Sequence, residues 1–280
     1  MKFKSAISLL LALAMVFVFA SCGEKASTTA AEKESSAAAA ATETTESSAS
    51  EQQEASQPSD TVRPAGPSSF KQFEAPQNGE EIVVMTTSMG VIKMRLFPED
   101  APKAVENFKG LISKGYYDGI IFHRVINEFM IQGGDPEGTG RGGESFFGEN
   151  FDIELSDNLY NFRGALCMAN TGMPKSNGSQ FFIVQSHNAG ADVFDRLQGY
   201  GYPIEFYPQS VIDKYAEVGG YPSLDANIYP EGMMVGYTVF GQVFEGMDVV
   251  DAIAAVQTDE ADKPLEDVVI EKVELAKYEG

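Results

Sequence analysis

The sequence predicts a mainly β domain, an antiparallel barrel or sandwich, that follows a leader and a long polar segment. The main body of the chain contains many short β-rich runs, only two clear helical patterns and no internal repeat. Parallel strands need a crossover helix between successive strands, so many strands with few helices favour antiparallel pairing. The length of 280 residues allows one large domain or two small ones.

The composition is acidic, with 41 Asp and Glu residues against 20 Lys and Arg, and a formal net charge of −21. Affinity for nucleic acid depends mainly on Lys and Arg, so we expect no binding to a phosphate backbone. Two Cys cannot form a disulfide framework or a four-cysteine zinc site, and two His leave few ways to build a metal centre. We therefore expect neither a metal nor another cofactor.

Residues 1–22 have the pattern of a secretion signal. Lys2 and Lys4 form a basic start, and an apolar run follows over residues 7–20. The run is shorter than the roughly 20 residues that span a bilayer. Cys22 comes directly after small residues, which resembles the lipobox of bacterial lipoproteins, where the Cys is lipidated and becomes the mature N-terminus. The alternative is an ordinary cleaved signal in which Cys22 has no role.

Residues 23–79 are predicted to be a disordered linker. The segment consists mainly of Ala, Ser, Thr, Glu and Gln with scattered Pro, and it has no apolar periodicity. Such a chain cannot bury enough apolar surface to offset the entropy lost on ordering. Its r.m.s. reach would be on the order of 40 Å. With a lipid on Cys22, it would tether a folded domain of residues 80–280 to a membrane surface.

The folded domain is predicted to begin with two β-rich runs, residues 81–87 and 91–97, separated by a Ser-Met-Gly turn signal. Residues 101–114 and 246–256 each place their apolar side chains on one helical face, so each is predicted to be a helix. The other predicted strands are residues 120–125, 129–132, 164–169, 180–184, 237–243 and 268–275.

A long excursion, about residues 188–236, interrupts this series of strands. It is rich in Tyr and Pro and contains a predicted short helix over residues 208–218. Two interpretations stay open. The insertion is either a surface elaboration or a wall of a binding groove that selects particular partners.

One charged residue lies inside an apolar strand pattern. Arg124 occupies the middle of Phe-His-Arg-Val-Ile, where burying a charge is costly unless it is paired or faces a cleft. Alternation along the strands places Gln132 on the same surface as Arg124, with Phe129 and Met130 beside it. Taken alone, Arg124 could instead be half of a structural salt bridge.

A second polar cluster surrounds the later strands. Ala169 and Asn170 follow one strand, and Gln180 and Phe182 share a face of the next. Phe181 points to the opposite face, so one of the two Phe side chains belongs to the core and the other to a pocket. Together these positions indicate an apolar pocket with one guanidinium and several amides around it. The glycine-rich residues 138–143 lack the Lys-Ser/Thr of a phosphate-binding loop, which favours a tight surface loop.

These motifs, in this order, closely resemble those of the cyclophilin family of peptidyl-prolyl cis-trans isomerases. The resemblance extends over about residues 81–276, apart from the insertion. It implies an eight-stranded antiparallel β-barrel capped by two α-helices, with the substrate groove on its outer surface. The matching stretches are residues 122–126, 129–143, 168–172, 177–183 and 239–241.

The resemblance also implies the roles of individual residues. Arg124 would be the catalytic residue. The implied substrate-binding residues are Phe129, Met130, Gln132, Ala169, Asn170, Gln180, Phe182, Leu224 and Tyr237. Two positions depart from the family pattern: Ser223 replaces a Trp and Tyr237 replaces a His. The missing Trp weighs against cyclosporin binding more than against isomerisation.

We therefore expect a lipid-anchored, extracytoplasmic prolyl isomerase that acts, as a monomer and without a cofactor, on unfolded or folding proteins with X–Pro bonds. Rotation about an amide breaks no bond, so it requires no nucleophile or metal. The competing hypothesis is a binding module, in which the same barrel captures proline-bearing segments as a chaperone but turns over poorly.

Overall fold

The protein was analysed as a computed structural model that describes residues 63–64, 66–188, 191–226 and 236–280. The predicted signal, Cys22 and most of the predicted linker lie outside these residues. The strands are β1 (Glu81–Thr87), β2 (Gly90–Leu96), β3 (Arg124–Ile126), β4 (Met130–Gly133), β5 (Phe151–Asp152), β6 (Ala165–Met168), β7 (Lys175–Asn177), β8 (Phe181–Val184), β9 (Val239–Glu245) and β10 (Ile270–Lys277). The α-helices are α1 (Pro102–Ser113), α2 (Ala191–Gly199), α3 (Gln209–Val218) and α4 (Met247–Ala254).

Eight strands form one antiparallel sheet in the order β10-β1-β2-β9-β6-β8-β4-β3. The sheet curls until its two edges meet, where Ile121, just before β3, pairs with Val269, just before β10. The backbone N–H of Ile270 donates to the carbonyl oxygen of Ile120 over 2.8 Å at the same junction. The predicted eight-stranded antiparallel barrel is therefore confirmed. The strands β5 and β7, which the sequence did not predict, pair separately.

The inside of the barrel holds the main apolar core, and α1 and α4 cover it. Phe108 of α1 is fully buried, and its ring centroid lies 5.2 Å from that of Phe240 and 5.5 Å from that of Phe181. From α4, Val250 and Ile253 are buried in the same core. Both capping helices lie within a residue or two of their predicted limits.

The insertion packs on Tyr160 and Phe162 and shares an apolar cluster with them, and its described part contains one more α-helix than predicted. The predicted short helix corresponds to α3, whereas α2 was not expected. Val193, Phe194 and Leu197 recur at helical spacing in α2 and pack into one apolar cluster, but the helix is short and the sequence analysis did not separate it from the rest of the insertion. Its Phe194 packs on rings distant in the sequence, 5.0 Å from Tyr207 and 5.9 Å from Tyr215 between centroids.

The ordered part of the domain begins before residue 80, earlier than predicted. A short 3-10 turn, Lys71–Phe73, carries the buried side chain of Gln72. Its Nε2 donates to the carbonyl oxygen of Tyr160 and to Oε1 of Gln242, both over 2.9 Å, and its Oε1 accepts from the Tyr160 N–H. This buried amide and the contacts of the Phe70 and Phe73 rings with Phe162 hold the segment in place, and such contacts leave no periodic signal in a polar sequence.

Candidate active site

An apolar cluster lies on the outer face of the barrel, across β4, β6, β8 and β9. Phe181 and Ile183 point into the main core, whereas Phe182 and Val184 belong to this outer cluster. The predicted division of the two Phe side chains between opposite faces is confirmed. The buried members of the outer cluster are Phe97, Met130, Leu159, Ala165, Cys167, Phe182, Val184 and Val239.

The structure gathers six of the predicted substrate-binding residues in this cluster. Met130 and Phe182 are buried in it, and Phe129, Ala169, Leu224 and Tyr237 pack against it and are partly exposed. The rings of Phe182 and Tyr237 meet almost perpendicularly, with 5.3 Å between their centroids. The cluster therefore has a buried floor and a partly exposed aromatic and aliphatic rim.

Arg124 lies in a row with two of these predicted residues. In the β3–β4 pair Arg124 is opposite Gln132, and in the β4–β8 pair Gln132 is opposite Phe182. Directly opposed residues point to the same face of a sheet, so the guanidinium, the amide and the ring share the outer surface. Alternation predicted the shared surface of Arg124 and Gln132, whereas only the family resemblance placed Phe182 in the same site.

The Arg124 side chain has an acidic partner that the sequence analysis did not identify. Its Nε donates to Oδ2 of Asp262 over 3.4 Å, and each side chain is 43% exposed. An ion pair this exposed contributes little to stability, so it does not account for Arg124 as a purely structural residue. The pair occupies Nε, and the guanidinium has further N–H donors for a ligand.

Two amides next to Arg124 hold each other in place. Gln132 donates from Nε2 to Oε1 of Gln180 over 2.9 Å, and Gln180 donates from Nε2 to the carbonyl oxygen of Gly142 over 2.8 Å. These bonds use the NH₂ group of each amide as the donor, so Oε1 of Gln132 is left as an acceptor. A peptide N–H is the kind of donor that this oxygen would bind.

The loop that carries Gly142 is organised by the buried Asp135. Its carboxylate accepts backbone hydrogen bonds from Glu137, Thr139, Gly140 and Gly142, over 2.7 to 3.2 Å. Burial alone would raise the pKa of Asp135, but the hydrogen bonds outweigh it and lower the pKa to about 2. The N–H groups of this glycine-rich loop are directed at the chain's own carboxylate, which agrees with the predicted surface loop.

Asn170 lies at the rim near Tyr237. Its Nδ2 donates to the carbonyl oxygen of Gly236 over 3.0 Å, and its Oδ1 accepts from the Gly172 N–H over 2.9 Å. The N–H of Ala169 donates to the carbonyl oxygen of Gln180 over 3.0 Å. Asn170 therefore joins the end of β6 to the chain that leads into β9.

Burial favours the uncharged forms of two titratable groups near Arg124, Tyr237 and His123. It raises the pKa of the Tyr237 phenol, an effect that the positive charge of Arg124 opposes. It also lowers the pKa of His123, while Asp135 acts in the opposite direction. At neutral pH the phenol and the imidazole are therefore uncharged, and Arg124 supplies the positive charge beside the apolar cluster.

The insertion supplies a further aromatic ring that the sequence analysis did not single out. The centroid of Tyr221 lies 4.4 Å from that of Phe129, with 44° between the ring planes. Its only signal in the sequence was the general abundance of Tyr in the insertion. Tyr221 and the predicted Leu224 belong to one short stretch of chain.

Cys167 is fully buried in the outer cluster, and burial raises the pKa of its thiol well above the usual range.

Within the described ranges, no group of three or more His, Cys, Asp or Glu side chains is arranged to hold a metal ion. In the same ranges, no helix has the length and apolar character needed to cross a membrane.

Comparison with known proteins identifies the family. Residues 82–275 match the family model described as cyclophilin type peptidyl-prolyl cis-trans isomerase/CLD. A candidate peptidyl-prolyl cis-trans isomerase of Staphylococcus aureus is 48% identical over 199 residues, which make up 71% of this chain and 93% of that protein. A candidate bifunctional phosphatase/peptidyl-prolyl cis-trans isomerase of Streptococcus pyogenes is 48% identical over 208 residues, and the chain spans 41% of its length.

A solved structure gives the same result for the fold. The cyclophilin type peptidyl-prolyl cis-trans isomerase of Cryptosporidium parvum, crystallised in the presence of the dipeptide Ala-Pro, aligns with a TM-score of 0.53 and 31% identity. The alignment covers 70% of this chain and 99% of that one. The chain therefore belongs to the cyclophilin-type peptidyl-prolyl cis-trans isomerases, and this membership confirms the fold and the isomerase class that the sequence predicted.

Proposed function

We propose that the chain accelerates rotation about X–Pro bonds by stabilising the twisted amide with Arg124. The observation that carries this proposal is the row formed by Arg124, Gln132 and Phe182 at the edge of the outer apolar cluster. The family acts on proline-containing peptides, and a guanidinium beside an apolar surface suits a proline amide. The proline ring would lie on the apolar surface, with its amide toward the charge.

The chemistry follows from the electronic structure of the amide. The planar form is stabilised by resonance, which gives a rotation barrier of about 18–20 kcal/mol. In the twisted state the prolyl nitrogen becomes pyramidal and accepts a hydrogen bond better than it does in either planar isomer. A permanently charged donor therefore binds the twisted state more strongly, which is the condition for catalysis. Lowering the barrier by about 7 kcal/mol would accelerate rotation roughly 10⁵-fold.

The neighbouring residues would hold the peptide while it rotates. Met130 and Phe182 form an apolar floor for the proline ring, and Phe129 packs beside them at the rim. Gln132, oriented by Gln180, presents an acceptor for a peptide N–H. Fixing both sides of the rotating bond reduces the entropy lost in the transition state.

We place this activity outside the cytoplasm, at a membrane surface. The support comes from the sequence: a basic and apolar leader followed by Cys22 in a lipobox-like setting. Several acyl chains on Cys22 would anchor the protein stably, because one chain alone binds only marginally. Mass spectrometry of the mature N-terminus tests this directly. A lipidated Cys22 is expected, and an unmodified residue there would contradict the anchor.

A second candidate function is a proline-binding chaperone with poor turnover. Ser223 and Tyr237, at positions where the family resemblance expects Trp and His, and the large insertion favour it. Binding and exchange should therefore be measured on one X–Pro peptide, by calorimetry and by NMR exchange spectroscopy. We expect wild-type protein to accelerate exchange at substoichiometric concentration. Tight binding with an unchanged exchange rate would reject the isomerase and support the chaperone.

A further inference from the structure

One short stretch of the insertion, residues 219–225, reaches the outer apolar cluster. Tyr221 packs at a tilt against Phe129 with 4.4 Å between the ring centroids, and Leu224 packs against the same cluster. All three side chains are partly exposed. The insertion therefore shares its surface with the predicted proline site.

The N-terminal end of this stretch is bound tightly to the barrel. The backbone N–H of Tyr221 donates to the carbonyl oxygen of Asn161 over 2.9 Å, and the backbone N–H of Arg163 donates to the carbonyl oxygen of Gly219 over 3.1 Å. Gly220 has φ +138°, and a Cβ there would lie 2.5 Å from the carbonyl oxygen of Asn161. Only glycine permits so close an approach. The backbone on one side of Tyr221 is therefore fixed.

The C-terminal end is held by the buried carboxylate of Asp225. Its Oδ1 accepts from the backbone and side-chain nitrogens of Asn161, each over 2.8 Å. Its Oδ2 accepts from the hydroxyl of Tyr215 over 2.6 Å and from that of Tyr207 over 3.3 Å. Asn161 thus binds both ends of the stretch, and the turn between them presents Tyr221 from a rigid support.

We propose that Tyr221 determines specificity by contacting a large apolar or aromatic side chain next to the proline of the substrate. This inference rests on the proposed function, because it takes Phe129 as a wall of the proline site. A partly exposed ring next to that wall offers a flat apolar surface on which an aromatic or aliphatic neighbour can pack. A carboxylate neighbour would lose water there and meet the negative face of the ring.

The test measures the affinity of proline peptides that differ in one neighbouring residue. Phe, Leu or Gly is placed either before or after the proline, so that the two directions are distinguished. Wild type is compared with Tyr221→Ala, Tyr221→Phe and Tyr200→Ala by isothermal titration calorimetry. Tyr200 is the matched control, because it lies in the same insertion and is 80% exposed.

We expect wild type to bind the Phe peptide about three- to tenfold more tightly than the Gly peptide in one of the two directions, the range typical of an aromatic contact. Tyr221→Ala should abolish this preference. Tyr221→Phe should keep it, because the ring remains, and Tyr200→Ala should leave it unchanged.

One overturning result needs no variant: wild-type protein that binds the Phe, Leu and Gly peptides equally would reject the inference. A preference that survives in folded Tyr221→Ala would also reject it. Exchange rates measured on the same peptides separate this from the proposed function. A preference for the Phe peptide without accelerated exchange would reject the isomerase activity but support the role of Tyr221. Accelerated exchange without a preference would support the isomerase activity and reject the role of Tyr221.

Discussion

Gln132 donates a 2.9 Å hydrogen bond to Gln180, and this contact connects the glycine-rich loop to the candidate active site. Gln180 in turn donates to Gly142, whose N–H is bound by the buried Asp135. Because Gln132 lies opposite Arg124 in the sheet, the order of the loop determines the orientation of an amide next to the guanidinium.

Replacing Gln180 should weaken substrate binding without unfolding the protein. In Gln180→Ala, Gln132 loses its partner and its amide can rotate, so KM should rise and kcat/KM should fall about three- to tenfold, the worth of one hydrogen bond. The measurement is peptide isomerisation at several substrate concentrations. Gln209→Ala, on the exposed side of α3, is the control. An unchanged KM in Gln180→Ala would contradict the role of the amide pair.

Asp135 should stabilise the domain at neutral pH and lose this effect in acid. Its pKa, about 2, lies below the ordinary value of 3.8, so the native state binds a proton less tightly than the unfolded state. Its contribution is complete above about pH 4 and disappears as the pH falls to 2. Asp135→Asn should lower the free energy of unfolding by about 2 kcal/mol at pH 7, and the difference between the two proteins should shrink in acid. Urea unfolding at several pH values measures this difference. A difference that does not change with pH would contradict the prediction.

Asp225 should have the opposite pH dependence. Burial raises its pKa to about 6, although hydrogen bonds from Tyr215 and Asn161 act against this. The native state then binds the proton more tightly than the unfolded state, so this carboxyl makes the domain less stable as the pH rises from about 4 to 6. Relative to Asp225→Asn, wild type should lose on the order of 3 kcal/mol of unfolding free energy over that interval. A parallel pH profile for the two proteins would refute the prediction.

Gln72 should be as important to stability as a core residue. Gln72→Ala would leave the backbone groups of Tyr160 and the amide of Gln242 without this partner, which should cost about 2 kcal/mol. For a domain of this size, Tm should fall by roughly 4–8 °C. Thermal unfolding measures it, with the exposed Gln77→Ala as control. A protein shortened to start at residue 80 should be destabilised at least as much. If it has the same Tm as the protein that keeps Gln72, the contact does not stabilise the domain.

Features with a sequence period could be predicted, and they account for most of the fold. Alternation separated Phe181 from Phe182, and helical spacing located both capping helices. The charge inside an apolar strand drew attention to Arg124, and the order of the motifs indicated the family. These signals are local, because residues that are two apart in a strand, or three to four apart in a helix, point to the same face.

Contacts between distant polar residues could not be predicted. Arg124 and Asp262 are 138 positions apart, and the sequence around either residue carries no sign of the other. Gln72 belongs to a polar segment with no period, and its burial depends on partners that only the folded chain brings near. Tyr221 supplies an aromatic ring two residues before Ser223, the position at which the family resemblance expects a Trp.

The central claim is that Arg124 stabilises the twisted amide. The most direct test is NMR exchange spectroscopy on an X–Pro peptide with wild type, Arg124→Ala, Arg124→Lys and Arg196→Ala, with peptide affinity measured in parallel. Arg196 is a matched control, because it is an exposed Arg in α2 paired with Asp192.

We predict that Arg124→Ala lowers kcat/KM by about 10²–10³, the usual cost of removing a donor to the transition state, while peptide affinity changes little. Arg124→Lys should recover only part of the rate, because it keeps the charge but not the planar fork. Arg196→Ala should match wild type. If Arg124→Ala accelerates exchange as well as wild type does, Arg124 is not the catalytic residue.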